Sequence, residues 1–208
     1  MLKISKLQIG LAVLILFSFT VLPREFSGRI VYRHSFVSLQ GDDIAAKLAS
    51  YMGSGMSTYI TSGNYIIYND KKQIAQLYTR VTNQYQVFND GKLVSTRDAA
   101  IPMWNDVIVT PLTETITVLG YRCKAIQMVT NGVRTVYYYA PDLKVNPESY
   151  SKHALGDWYT YMKATDGSLT LKYVITSPKD GYVATSEAIS VEAMPLSAAD
   201  FLSTSAAR

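Results

Sequence analysis

Histidine, cysteine, serine and lysine are the residues through which a chain of this size would do acid–base, nucleophilic or metal chemistry, and here few are placed to do it. The 208 residues include two histidines, His34 and His153, and one cysteine, Cys123. A zinc site would have to recruit Cys123 or carboxylates from distant strands, and no HExxH, CxxC or HxxxH spacing occurs. No metal site is expected, and His34 reads as a strand residue. Cys123 with His153 and Asp157 is the one conceivable thiol arrangement, but Cys123 stands in an apolar strand-like run and reads as a small core residue. Ser149 and Lys152 satisfy S-x-x-K without its companion S-D-N and K-T-G elements. Tyr159 and Lys163 satisfy Y-x-x-x-K, yet no G-x-G-x-x-G loop precedes them, and their run reads as a strand, where such a pair shares no helix face. No catalytic residue and no cofactor are therefore assigned, which leaves binding as the expected activity.

Composition agrees. With 48% hydrophobic and 17% charged residues the chain is too apolar and too weakly charged to be disordered, and its length suits one domain. Once Lys3 and Lys6 are set aside, the formal charge falls from +4 to +2, and the remaining charges are interspersed. That is no electrostatic footprint for a nucleic acid.

Lys3 and Lys6 precede an uncharged run from Leu7 to Leu22, closed by Pro23 and Arg24. A basic start followed by a short apolar stretch is the layout of an export signal, and the run falls short of the roughly 20 residues that span a bilayer. No small-x-small pair lies between Phe19 and Gly28, so both a cleaved signal peptide and a retained N-terminal membrane anchor over residues 1–23 stay open. Cys123 is far from this segment, which closes a lipid-modified N-terminus. One cysteine also forbids an intramolecular disulfide, so an exported domain over 24–208 must be held by its apolar core. The expected location is the periplasm or the membrane-associated envelope.

From Phe26 onward, Tyr-, Val-, Ile- and Thr-rich runs alternate with turn dipeptides at Asp90-Gly91, Asn131-Gly132, Asp166-Gly167 and Asp180-Gly181. The pattern predicts a mainly β (α+β) protein of about eleven strands, arranged as a large curved antiparallel sheet or incomplete β-barrel. Strands are expected at 28–37, 63–69, 74–80, 84–89, 92–96, 115–118, 122–130, 134–140, 158–164, 169–176 and 183–193. A short amphipathic helix is expected from Asp42 or Asp43 to Met52, and a terminal one after Ser197. Residues 142–157, with Pro147 and Gly156, read as a loop crossing the sheet or its mouth. Alternation gives one dry and one wet face, the dry one including Tyr85, Val87, Ile126, Met128, Leu171, Tyr173 and Ile175.

Leu119-Gly120-Tyr121-Arg122-Cys123-Lys124-Ala125, followed by a strand, a turn and Tyr137-Tyr138-Tyr139-Ala140-Pro141-Asp142-Leu143, resembles a pair of strands in exported Gram-negative families related to the GLPGLI family. The namesake Gly-Leu-Pro-Gly-Leu-Ile itself is absent. Those families look like distant members of the LolA and LolB lipoprotein-carrier superfamily. The resemblance implies an incomplete barrel closed by helices over an apolar cavity, and a ligand such as an acyl chain.

The expected function is thus non-enzymatic binding of a lipid or other apolar ligand on the concave face, through Tyr85, Val87, Ile126, Met128, Leu171, Tyr173 and Ile175. The helix after Gly41 and the 142–157 loop are its candidate lids. Two other readings stay open: an envelope structural or protein-interaction domain with no small ligand, and a hydrolase acting through Ser149 and Lys152. Membrane contact would come through an uncleaved N-terminal segment.

Overall fold

The computed structural model describes residues 25–204, so the export-type segment lies outside the described residues. Eleven strands form one antiparallel sheet: β1 (Gly28–Ser38), β2 (Gly55–Thr61), β3 (Asn64–Asn69), β4 (Ile74–Thr79), β5 (Gln84–Asn89), β6 (Lys92–Asp98), β7 (Val107–Val118), β8 (Tyr121–Thr130), β9 (Val133–Lys144), β10 (Ser168–Ser177) and β11 (Tyr182–Ala193). Their order is β6-β5-β4-β3-β2-β1-β11-β10-β9-β8-β7, so β6 and β7 are edges and the sheet does not close into a barrel. Two α-helices, α1 (Ala45–Met52) and α2 (Trp158–Ala164), and three 3-10 turns complete the described chain.

The hairpins form where the turn chemistry permits them. Asn131 (φ 49°) and Gly132 (φ 77°) both adopt the left-handed backbone that a two-residue turn matched to strand twist requires, and they join β8 to β9. Asp166-Gly167 has the same conformation but joins α2 to β10 instead of two strands.

Several sequence expectations change. Trp158–Ala164 is a helix, not a strand. Its aromatic residues favour strands, but Trp158, Tyr161 and Met162 fall at the i, i+3, i+4 spacing of a helix face, with Tyr161 and Met162 buried. Tyr159 and Lys163 therefore do share a helix. Strand β2, which the pattern does not predict, begins at Gly55, the second of the two glycines after α1, and β7 begins eight residues earlier than expected. Strand β7 tolerates Pro111 because it is an edge strand paired only with β8. Strand β9 continues through Pro141 to Lys144. Helix α1 starts at Ala45, whose N–H donates to Asp43 Oδ1 at 2.8 Å, and buries no residue.

The expectation of one dry and one wet face fails across β3–β5. In β3 four consecutive residues are buried, Tyr65 and Ile67 in the main core and Ile66 and Tyr68 in a second cluster on the other side. The second cluster, with Leu77 and Phe88, is covered by Phe201 from the turn Ala198–Phe201, which Ser197 caps in a reciprocal box with Asp200.

Candidate functional site

The sheet is curved, because residues from β4 and β9 wall one cavity. Those strands are six positions apart in the sheet, about 29 Å if it were flat. The cavity has a volume of about 310 Å³ and is partly open. One side is built by Ile30 and Tyr32 of β1, Met56, Thr58 and Ile60 of β2, Ile67 of β3 and Gln76 of β4. The other is built by Tyr137 of β9 and Leu169, Thr170, Tyr173 and Ile175 of β10, and α2 roofs it with Trp158, Tyr161 and Met162 beside Gly156. None of these residues carries a formal charge. The volume lies at the lower end of small-molecule sites.

The polar groups on this wall are mostly engaged with the protein. Tyr32 Oη donates to the Thr170 carbonyl at 2.6 Å, Tyr161 Oη donates to the Ser168 carbonyl at 2.8 Å, and Thr170 Oγ1 donates to Tyr161 Oη at 2.5 Å. Burial pushes the Tyr137 hydroxyl up to about 12 and raises those of Tyr32, Tyr161 and Tyr173. The tyrosines therefore stay neutral, and the cavity offers an apolar, uncharged lining.

A smaller cavity of about 160 Å³ shares Gln76, Gly156 and Trp158 with the first and is completed by Tyr65, Tyr85, Met103, His153 and Leu155. Beside it lies an aromatic stack. Tyr65 stands 4.5 Å from Trp158, 5.5 Å from Tyr78 and 5.8 Å from His153 between ring centroids, and Tyr78 stands 4.2 Å from His153. Tyr150 Oη donates to the Thr61 and Asn64 carbonyls, which ties the 145–157 segment to the β2–β3 turn. This segment and α2 are thus clamped onto the sheet by aromatic packing. Of the two candidate lids, it is this one, and not α1, that reaches the cavities.

His153 is buried, with Nε2 at 2.9 Å from Tyr65 Oη, and burial lowers its pKa to about 4. The unfolded imidazole titrates near 6.5, so stability from keeping it neutral is full above that pH and is lost as pH falls toward 4. Between pH 7 and 4.5 this one group is expected to cost about 2 kcal/mol. His34, lowered for the same reason, adds in the same direction. Urea unfolding of wild type and His153→Phe at both pH values isolates the His153 share. Equal losses in the two proteins would refute the assignment.

The predicted ligand residues divide into three groups. Tyr173 and Ile175 line the larger cavity, and Tyr85 lines the smaller. Val87 is half-buried beside them, in register with Gln76. Ile126, Met128 and Leu171 are buried in the main core and line neither cavity. Leu171 sits in a bulge of β10 that leaves neighbouring Thr170 on the cavity wall. The β2 and α2 residues are not among the predicted ones, because the pattern places no strand at 55–61 and predicts a strand at 158–164; the helical spacing of Trp158, Tyr161 and Met162 is the available signal.

The chemical motifs are engaged structurally. Ser149 is buried, and its Oγ accepts from Arg80 Nη1 at 3.3 Å, a group that cannot take its proton. Lys152 is exposed. Tyr159 Oη donates to Glu148. Cys123 is fully buried and its thiol pKa is raised by burial. No group of three or more His, Cys, Asp or Glu side chains among the described residues could hold a metal ion.

The class of protein defined by these features is an open eleven-stranded antiparallel sheet, curved over an apolar cavity under one short helix. Among solved structures, PNGF-II in its C2 crystal form is similar in fold over 84% of this chain, at 18% identity and a TM-score of 0.50. The same protein in a P21 form matches 82% at 19% identity and a TM-score of 0.48. The chain spans only 29% of the length of PNGF-II. A LolA superfamily protein from Nitrosomonas europaea matches 87% of this chain and 91% of its own at 8% identity, with a TM-score of 0.35. No family model and no curated protein matches the chain.

Proposed function

We propose that this domain holds a lipid or other apolar ligand, without catalysing a reaction, in the cell envelope. The observation that carries the reading is the uncharged cavity between the curved sheet and α2. Apolar surface left unfilled there gains about 25 cal/mol for each Å² a ligand buries. The sequences Leu119–Ala125 and Tyr137–Leu143 resemble those of families related to carriers of the LolA kind, which supports this reading. The basic and apolar segment from Lys3 to Leu22 supports export. Binding sites are then the cavity walls, with Tyr173, Ile175 and Tyr85 in contact with ligand.

Native mass spectrometry with lipid extraction, on protein purified without detergent, is expected to find a co-purified apolar molecule at near-stoichiometric amount. Met56 is half-buried on the cavity wall. Met56→Trp should fill the space, lower the affinity for a fluorescent apolar probe at least tenfold, and cost only about 1–3 kcal/mol of stability. A clean apo mass, with no probe uptake by the wild type, would instead favour a second reading. In that reading the domain binds a partner protein through the exposed apolar residues Ile101, Met103 and Trp104 between β6 and β7.

A further inference from the structure

Gln76 of β4 is half-buried and lines both chambers. Its neighbours in register are Ile67 on β3 and Val87 on β5, whose side chains offer it no hydrogen bond. The side-chain amide bonds to none of the described residues, and neither its oxygen nor its nitrogen is sealed off by its neighbours. The hydroxyls of Tyr32 and Tyr161, by contrast, are tied to backbone carbonyls. A free amide on an otherwise largely apolar wall acts on whatever enters. A hydrocarbon that covers it strips it of water and returns no bond, which costs about tenfold in affinity, whereas a group that both donates and accepts takes the place of that water. A hydroxyl does both at small size, which suits a chamber of about 310 Å³.

We infer that the cavity selects an uncharged single-chain molecule with a hydroxyl head, the hydroxyl bonded to the Gln76 amide and the chain lying in the larger chamber. This rests on the cavity being a binding site, of which Gln76 is then the residue that determines specificity. A carboxylate head is disfavoured, because no Lys or Arg lines either chamber.

The test compares octanol, nonane and octanoate at pH 8, each displacing a fluorescent apolar probe from the purified protein. In the wild type, octanoate should bind at least tenfold more weakly than octanol. Gln76→Met, close to glutamine in size and shape, should weaken octanol about 3- to 10-fold and tighten nonane by a similar factor. A change in the shape of the wall would move both ligands in the same direction, so the opposite signs isolate the amide. In isotope-labelled wild type bound to octanol, the Gln76 side-chain amide protons should show a nuclear Overhauser contact with the methylene beside the hydroxyl and none with the terminal methyl; this readout decides the matter if Gln76→Met does not fold. Unchanged affinities or shifts of equal sign in Gln76→Met, the absence of the methylene contact, or octanoate binding as tightly as octanol would overturn the inference. Failure of octanol and nonane alike to bind the wild type would remove the cavity reading itself, and this inference with it.

Discussion

Tyr65→Ala is expected to destabilise the protein by about 4 kcal/mol, measured as a lower urea midpoint at unchanged slope. Tyr65 is 1% exposed and its ring contacts Trp158, Tyr78 and His153 at once. Truncation removes the transfer energy of a buried ring and leaves a void that three flat neighbours cannot easily collapse into. It also strips His153 Nε2 of its bond to Tyr65 Oη. Tyr65→Phe, which keeps the stack and loses only the hydroxyl, should cost about 1–2 kcal/mol. A truncation no worse than Tyr65→Phe would mean that the aromatic clamp does not hold the segment to the sheet.

Gly167→Ala is expected to cost at least 3 kcal/mol, a fall in Tm of about 6–12 °C by thermal melt. Gly167 has φ +71°, and a Cβ placed there would lie 2.0 Å from the Val145 carbonyl oxygen. The backbone of Gly167 accepts from Val145 N–H and donates to the Met162 carbonyl, so it joins the end of α2 to the segment leaving β9. A shift large enough to relieve the clash must move Tyr161 and Met162, which roof the cavity, so probe binding should fall with stability. Gly132→Ala is the control: it too has positive φ, but its Cβ would meet nothing within 4 Å, and it should cost only about 1 kcal/mol.

Much of the architecture was legible in the sequence, because alternation in runs such as Leu171 to Ile175 and dipeptides such as Asn131-Gly132 are physical requirements of hairpins. The expected number of strands agrees with the structure only because two errors offset each other. Gly55 at its start and Gly53 before it hide strand β2, although its Thr, Tyr and Ile favour strands, and the aromatic content of Trp158–Ala164 favours a strand where the structure has a helix. The site was less legible for a different reason. Periodicity reports which side of a strand leaves water, and Leu171, Ile126 and Met128 do so as fully as Tyr173 does. It cannot report whether the space opposite is filled by another side chain or left as a cavity. That depends on where α2 sits, and its placement depends on the contacts of Tyr65 with His153 and Trp158, which lie far from it in sequence.

Every seam of the sheet joins strands adjacent in sequence except that between β1 and β11, whose register runs from Gly28 opposite Ala193 to Ser38 opposite Tyr182. The chain is therefore two consecutive meanders, each able to assemble from short-range contacts, whose strands pair with each other along a single line. The entropic cost of long-range strand pairing is concentrated at that seam. The larger cavity straddles it, with β1–β4 on one bank and β9 and β10 on the other. A molecule lodged there touches both meanders, so by mass action it favours the joined state over the parted one.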